Sequence, residues 1–529
     1  MPPSNMTHQF SQTPKVETQR SSFDRTHQHK TTFDAGKLIP FYVDEVLPGD
    51  SFNVNTTLFG RLATPLHPIM DNMFLDTHYF YVPNRLLWDN FKKFMGEQDN
   101  PTDSVDYLVP QLVDDAATGF AEGGIEDYMG LPIASQATGL SVSALWHRAY
   151  NLIWNEWFRD QNLQDSVTVN KGDGPDNLSD NHYSLLRRGK RHDYFTSALP
   201  WPQKGPGVEL PLGTTAPITA TGEFTLKDSA DPANTGGIQI GGGVGYRSPT
   251  GSSLTANENL FYSSGLQADL SGATASTINS LRQAFQLQRL AEKDARGGTR
   301  YTEIVRSHFN VTSPDARLQR PEFLGGSTSR VQVQPVPATA SNPINYSNNQ
   351  GQVGSLGALG TVASNKDGFT KSFTEHGIII GLVSARADLT YQSGVNRMFS
   401  RRTKYDFYWP TLAHLGEQEV KNKEIYAQGT SADEGIFGYQ ERWSEYRYGI
   451  SKITSKFRSD AAGSLDTWHL SQDFANLPLL NEIFIEDNPP ITRALAVQTE
   501  PHFILDAYIN CKTARAMPTY SVPGLIDHF

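Results

Sequence analysis

The sequence predicts a mainly β protein with long insertions and only a few helices. Its 529 residues include 44 Gly and 31 Pro, and 11% are aromatic while only 19% are charged. Such a composition suits strands joined by long turns better than a bundle of charged helices. Strand-like runs also lie at both ends of the chain, with loop-like stretches between them. A jelly roll has this arrangement, because its first and last strands are neighbours.

The first 35 residues are polar and lack a hydrophobic period, which predicts an extended N-terminal arm over residues 1–35. An arm of this kind usually becomes ordered by lying on a neighbouring molecule. The remaining residues, 36–529, are interpreted as a single jelly-roll domain that carries insertions.

Three strand candidates follow the arm within about 50 residues. Lys37–Val46 is followed by a Pro-Gly-Asp turn, then by Ser51–Leu62, and Phe74–Val82 comes next. Apolar and polar residues alternate in Ser51–Leu62, so one face of this strand is expected to be buried. Because the connections are short and contain no helix, the three runs indicate an antiparallel sheet.

Three segments have helical periodicity. They are Arg85–Met95, Ser141–Gln161 and a segment from about Ser276 to Gly297. The second has tryptophans on its apolar stripe. Such residues belong to a core more often than to a ligand site.

Two stretches are rich in small and polar residues, at about 205–275 and about 325–368. Unstructured connections of this length are uncommon in a compact domain and are usually functional or flexible. Neither flank resembles a complete domain, so both are interpreted as insertions into one fold. Strand patterns return in Gly377–Tyr391, a continuous apolar run, and in His502–Lys512, which alternates.

The net charge of -11 argues against a protein that coats nucleic acid with its whole surface, since phosphates require excess Lys and Arg. Local basic patches remain compatible with DNA if a separate basic partner neutralises the rest. Cys511 is the only cysteine, so neither an internal disulfide nor a cysteine zinc cluster is expected. Residues 1–10 do not resemble a signal peptide and no apolar run is long enough to span a bilayer. We therefore expect synthesis in a cytoplasm.

Enzyme signatures are not found in the sequence. It contains no G-x-S-x-G, H-E-x-x-H or Walker A pattern. Asp173, Asp176 and Asp180 form an acidic loop that could hold calcium, but their spacing is not that of an EF-hand and a surface turn is favoured. No catalytic residue, metal or cofactor is therefore predicted.

Two basic clusters are the candidate sites for DNA or inner-surface contact. The first consists of Arg187, Arg188, Lys190, Arg191, His192 and Tyr194. The second consists of Arg401, Arg402 and Lys404, with aromatic residues close behind. Cations beside flat rings suit single-stranded DNA. Contact with an acidic neighbouring subunit and plain solvation remain open alternatives.

Several segments, spread over most of the chain, resemble the major capsid proteins of the Microviridae, specifically the gokushovirus branch. They are Arg20–Asp50, Ala149–Leu163 (AYNLIWNEWFRDQNL), Arg187–Gly205 (RRGKRHDYFTSALPWPQKG), Leu281–Gly326, Phe373–Arg401 and Val522–Phe529 (VPGLIDHF). These segments occur in the same order as in the family. The two stretches rich in small and polar residues match poorly, and the family also has loops there.

The resemblance implies an eight-stranded jelly roll that assembles as 60 copies into a T=1 icosahedral shell around circular single-stranded DNA. It implies a small basic DNA-packaging protein, a minor or pilot capsid protein and a host cell-surface receptor as further partners. The protein is then expected in the virion, and in the host cytoplasm during assembly. Residues 205–275 are the candidate for a protrusion at the threefold axes, used in host attachment; the alternative is a disordered loop without a receptor role.

Two other classes of protein are open as alternatives. A jelly-roll carbohydrate-binding or depolymerising phage spike would need a cleft with carboxylates and stacking aromatics. A cellular surface-layer protein would need an export signal, which the N-terminal residues do not resemble.

Overall fold

The protein is described by a computed structural model. The described residues are 19–114, 119–177, 183–208, 218–228, 235–240, 244–247, 260–268, 278–312, 319–337, 339, 354 and 356–520. The chain forms two compact units. One comprises Met1–Pro202 and Gly298–Phe529, and the other is Gln203–Gly297.

Strands dominate the described part of the chain. In chain order they are β1 (Ser21–Asp24), β2 (His27–Phe33), β3 (Ile39–Val46), β4 (Ser51–Leu62), β5 (Met73–Pro83), β6 (Gln111–Val113), β7 (Ser141–Ser143), β8 (Asp176–Asn177), β9 (Ile218–Asp228), β10 (Thr235–Ile240), β11 (Val244–Arg247), β12 (Leu260–Ala268), β13 (Glu322–Gly325), β14 (Thr328–Pro337), β15 (Leu356–Ser372), β16 (Gly377–Ala387), β17 (Glu417–Lys421), β18 (Ile436–Glu441) and β19 (Phe503–Arg515).

The helices are few and mostly short. They are α1 (Phe91–Phe94), α2 (Ile125–Tyr128), α3 (Leu145–Ile153), α4 (Ile278–Arg296), α5 (Tyr301–Phe309), α6 (Asn422–Ile425) and α7 (Glu482–Ile485). A π-helical turn, Trp154–Phe158, continues α3. Single 3-10 turns occur at Asn84–Leu86, Arg397–Ser400, Lys404–Asp406, Pro410–Leu412, Ser431–Glu434, Ser444–Tyr446, Ser455–Phe457, Asp466–Trp468 and Ile491–Ala494.

The main sheet has the strand order β1-β19-β4-β15-β14-β5-β16-β3, with β2 also on β19 and β13 also on β5. If β1 and β2 are counted as one bent strand, and β13 and β14 as another, eight strands form two four-stranded halves, β2-β19-β4-β15 and β14-β5-β16-β3. Every pair in this sheet is antiparallel. β14 joins the halves, since its first part pairs with β5 and its second part with β15. The predicted mainly β jelly roll is confirmed.

The barrel core is built from alternating faces. In β4 every second side chain is buried, and β19 has the same period. β16 is instead buried along its whole length because it lies between two cores. Ile379 and Val383 face the barrel interior, whereas Ile378, Ile380 and Leu382 belong to a second cluster that includes residues of α3. This double burial explains the continuous apolar run in the sequence.

The N-terminal strands differ from expectation in their partners. β3, β4 and β5 lie close to the predicted bounds, but none of them pairs with another of the three. β3 pairs with β16, β4 with β15 and β19, and β5 with β13, β14 and β16. Consecutive strands of the chain therefore alternate between the two halves of the barrel.

Part of the expected arm over residues 1–35 belongs to the barrel. β1 and β2 pair with β19 of the same chain, and Phe33 stacks on Phe503 with ring centroids 5.4 Å apart. Phe33 is fully buried, so the end of this segment is anchored in the core. Residues 1–18 lie outside the described part of the chain, and for them the extended arm stays a prediction.

The insertion expected at 325–368 is largely barrel. β14 and most of β15 fall within it, and only residues 338–355 connect them. The glycines that suggested a loop are sites of close strand approach. A Cβ built on Gly326 would overlap the carbonyl oxygen of Thr77, and one on Gly368 would overlap that of Val54. Gly is therefore required here by packing and does not mark a turn.

The helix predictions have mixed outcomes. Arg85–Met95 forms only a 3-10 turn and the short α1. Ser141–Gln161 forms β7, α3 and the π-helical turn, with Trp154 buried and Trp157 half-exposed. The third helix is α4, which ends at Arg296, directly before Gly297. Its expected N-cap, Ser276, lies outside the described residues.

The unit Gln203–Gly297 contains the other long insertion predicted, residues 205–275. Its described residues include a four-stranded antiparallel sheet in the order β11-β10-β9-β12, together with α4. β9 and β10 contain the short β-like runs that the sequence indicates within this stretch, Glu223–Leu226 and Ile238–Ile240, and the strands extend beyond them. Two small sheets, β7-β6-β8 and β17-β18, complete the first unit.

Candidate nucleic-acid interface

The first basic cluster, residues 187–192, crosses the fold as an extended strut. Arg188 N donates to the carbonyl of Gly36, and Lys190 N donates to that of Ile485 at 2.7 Å. In return, Asp487 N donates to the carbonyl of Arg188 at 2.9 Å. The strut therefore joins the start of the barrel to the long connection between β16 and β19.

Arg188 is used inside the fold. Its guanidinium donates to Asp76 Oδ2 at 2.7 Å and to Ser384 Oγ at 2.9 Å, and Arg386 reaches the same Asp76 oxygen at 2.7 Å. Burial alone would raise the pKa of Asp76, but the two arginine charges outweigh it and lower that pKa. Arg188 is thus an ion-pair partner of β5.

Lys190 and Tyr194 are also buried. Lys190 Nζ donates to Gln472 Oε1 at 3.0 Å and lies 4.3 Å from the ring centre of Phe484. Burial lowers the pKa of Lys190 to about 8. The hydroxyl of Tyr194 donates to Glu424 at 2.8 Å. Both side chains pack between elements of the subunit and are largely buried there.

The remaining members of the cluster differ in exposure. Arg187 is half-buried and donates to the carbonyl oxygens of Ala35 and Asp487. Arg191 and His192 are exposed. The structure therefore splits the predicted site, because only these last two side chains are exposed. The groups that bond Arg188, Lys190 and Tyr194 are far away in sequence.

An open cavity of about 390 Å³ adjoins His192 and was not foreseen from the sequence. Its aromatic walls are His78, Phe80, Trp157, Phe158 and Phe323. Its polar lining includes Arg159, Asp160, Arg188, Lys190 and His192. The ring pairs are close, with 5.3 Å between the centroids of His78 and Phe158. Flat rings beside cations are the combination that single-stranded nucleic acid requires.

The second cluster has a different balance. The Arg401 side chain is only 10% exposed, lies 3.3 Å from Glu445 and stacks 4.3 Å from the ring centre of Tyr446. Arg402 and Lys404 are exposed. The Nζ of Lys404 lies 4.9 Å from the ring centre of Tyr405. Here two cations project from a surface that is mainly aromatic.

The acidic loop is used structurally in the part that the structure describes. Asp176 is buried against Arg148 with contacts of 2.7 and 2.8 Å. Asp173 accepts from the indole of Trp88 at 2.7 Å. Asp180 lies outside the described residues. Among the described residues, no group of three or more His, Cys, Asp or Glu side chains could hold a metal ion. No described helix is long and apolar enough to cross a membrane.

The eight-stranded barrel with long insertions is a jelly roll, an architecture that viral coat proteins share with lectins and cupins. The family described as capsid protein (F protein) matches residues 11–525. The chain belongs to this family.

Similar proteins cover the whole chain. Capsid protein VP1 of Bdellovibrio phage phiMH2K is 49% identical over 99% of this chain and 98% of its own length. The VP1 capsid proteins of Chlamydia phage 1 and Spiroplasma virus 4 are 45% and 36% identical, over 99% and 98% of this chain and 98% and 97% of their own lengths. The resemblance to Microviridae capsid proteins is confirmed, and the gokushovirus branch stays a prediction. The protein is a major capsid protein and hence a virion component.

Proposed function

We propose that 60 copies of this capsid protein form a T=1 shell that encloses circular single-stranded DNA. The observation that carries this proposal is the jelly roll itself, present in a chain that matches phage capsid proteins along its full length. The barrel supplies a rigid wall, and the connections β5–β13 and β16–β19 supply the surfaces that meet neighbours. Closed symmetry multiplies each weak contact.

Particle mass tests the shell directly. Sixty copies of a 58.6 kDa chain weigh about 3.5 MDa. Electron microscopy and native mass spectrometry of particles assembled from the full chain should show closed shells of one size and this protein mass. Discrete trimers, or shells with another copy number, would overturn the proposal. Glycan cleavage by such trimers would indicate the spike class of protein.

For the genome contact, we propose the aromatic cavity lined by His192, together with the exposed Arg191 next to it in the chain. The rings offer stacking surfaces and Arg191 offers a phosphate contact. The chain's charge of -11 requires that this contact be local. A small basic packaging protein would neutralise the rest of the DNA charge.

The variant Trp157→Leu with Arg191→Ala tests this contact, because Trp157 is 39% exposed and both changes avoid the buried arginine and lysine of the strut. Shell yield should stay unchanged while DNA per shell, measured by absorbance ratio, falls about twofold or more. Arg61→Ala, an exposed change on β4, serves as the control. Normal DNA content in the double variant would contradict the assignment.

Host attachment is proposed for the unit Gln203–Gly297, as the threefold protrusion expected for residues 205–275. Its separate compactness supports this, since such a unit can vary without disturbing the barrel. Replacement of residues 214–272 by a short Gly-Ser linker should leave shells intact and abolish adsorption to host cells. Unchanged adsorption would favour an insertion without a receptor role. The pilot protein and assembly in the host cytoplasm belong to the same proposal.

A further inference from the structure

The connection between β16 and β19 carries an exposed surface that we name the aromatic platform, residues 397–415. Its large exposed side chains are Met398, Phe399, Tyr405, Phe407, Tyr408, Trp409 and Leu415. Phe399 is 73% exposed, and Trp409 is 48% exposed although its indole nitrogen donates to the carbonyl of Lys404. A cluster of exposed rings on a soluble subunit marks a surface that is covered by a partner.

The charges of the platform separate into paired and free groups. Arg397 donates to Glu424 at 3.0 Å, and Arg401 lies beside Glu445. Among the described residues, the side chains of Arg402 and Lys404 have no ion-pair partner within 4 Å.

Two free cations among seven large, mainly apolar side chains favour a protein over a nucleic acid as the partner. The platform also exposes Met398 at 46%, an apolar side chain that offers no flat ring to a base. Protein interfaces are instead enriched in aromatic residues, Met and Arg. An exposed Leu415, 55% accessible, adds apolar surface that offers no ring to stack on a base.

The same chain displays a surface of complementary charge, the acidic segment, residues 95–108. It follows α1 and contains four acidic residues and no Lys or Arg. Asp99 and Asp106 are exposed and, within the described residues, have no ion-pair partner within 4 Å. Leu108 at its end is 84% exposed. Asp103 stabilises the turn by accepting from Asn100 N at 3.0 Å.

We propose that the aromatic platform of one copy binds the acidic segment of a second copy. The chain as a whole carries a charge of -11, so copies repel one another unless a positive surface meets a negative one. The two surfaces lie in different connections, β16–β19 and β5–β13, so the contact can repeat head to tail around a symmetry axis or occur twice across a twofold axis. This inference rests on the proposed shell-forming function and names one of its contacts.

A charge exchange tests the contact with the full chain. One variant carries Arg402→Glu and Lys404→Glu, the second carries Asp99→Lys and Asp106→Lys, and the third carries all four changes. Shells and free subunits are separated by sucrose-gradient sedimentation. Each double variant should lower shell yield about tenfold or more, because like charges then face each other. The fourfold variant should recover to within about threefold of the wild type, because the opposite charges face each other again.

The control is Arg402→Lys with Lys404→Arg, which keeps both charges and should assemble normally. Melting of the free subunits checks that every variant is folded, and the exposed positions are expected to shift Tm by under about 2 °C. Failure of the fourfold variant to recover, with folded subunits, would overturn the inference. So would normal shells with less DNA in the first variant, which would assign the platform to nucleic acid. If the wild type itself forms no shells, the proposed function fails instead.

Discussion

Asp76 connects three parts of the chain through one carboxylate. It lies on β5, its side chain is 6% exposed, and it binds Arg188 of the strut and Arg386 of β16. Removal of a buried carboxylate leaves two cations without their counter-charge in a medium of low dielectric constant. Arg188 of the basic cluster therefore stabilises the fold through its ion pair with Asp76.

Asp76→Ala should lower the free energy of unfolding by about 3–5 kcal/mol because it leaves both arginines unpaired. Urea unfolding of the free subunit measures this. Asp506→Ala is the matched control, since it removes the exposed ion pair with Lys30 and should change the free energy by less than about 1 kcal/mol. Similar effects of the two substitutions would contradict a structural role for Asp76.

Asp487 gives the subunit a pH dependence. Burial raises its pKa to about 6, against the opposing charges of Arg188 and Lys190. A carboxyl with a pKa above its unfolded value contributes stability below about pH 4, and this contribution is lost as pH rises through 6.

Asp487→Asn removes that titration. The stability of the variant relative to the wild type should therefore increase between pH 4 and pH 7, by up to about 3 kcal/mol. The unfolding free energies of the two proteins at both pH values give this difference. A difference that stays constant or falls with pH would contradict the buried ionisation.

In the candidate site, the residues that the cations contact were harder to predict from the sequence than the cations themselves. Cations at 187–192 were expected at the surface because their partners, Asp76 and Asp487, are more than 100 residues away in sequence. Exposed Arg191 and His192 were among the predicted residues. The aromatic walls of the cavity were missed because His78, Trp157 and Phe323 come from three separate segments.

At the level of elements, β15 depends on a glycine. Gly368 lies against Val54 of β4, where a Cβ would overlap a backbone carbonyl that cannot move without disturbing the ladder. Gly368→Ala should therefore destabilise the subunit by about 1–3 kcal/mol. Gly449→Ala, with open space around its Cα, should have almost no effect. Thermal melting of both variants tests this, and an unchanged Tm for Gly368→Ala would contradict the packing.

Elements with a local signal were predicted well. β4 and β19 alternate, and β16 is continuously apolar, so their bounds follow from periodicity to within a few residues. β14 and β15 were missed because prolines and glycines suggested a loop, although β14 lies where the two halves of the barrel meet. Arg85–Met95 has an amphipathic pattern but forms only two short turns. In them, the rings of Phe91 and Phe94 pack against Trp88. Strand partners could not be predicted, because pairing is decided over hundreds of residues.

On the scale of the whole molecule, the last strand completes the barrel. β19 lies between β4 on one side and β1 and β2 on the other. It supplies Phe503, Leu505, Ala507, Ile509 and Cys511 to the core. The first described strands, β1 and β2, and the last one, β19, therefore lie together in one half of the barrel.

A chain that ends at residue 500 should not fold. The loss of five core side chains removes on the order of 8 kcal/mol of burial, which is comparable to the whole stability of a typical domain. Near-ultraviolet circular dichroism and thermal melting should show no cooperative transition. Tyr508→Ala, on the exposed face of β19, is the control and should melt like the wild type. A cooperative transition in the shortened chain would show that β19 is dispensable.

The position of β19 also has a consequence during translation. The ribosome makes β4 more than 400 residues before its neighbour β19. At about 5–20 residues per second, the nascent chain waits roughly 20–90 s before this half of the barrel can close. During that time one edge of β4 has no strand to pair with. A subunit is therefore expected to become competent to join a particle only after β19 has been made and paired.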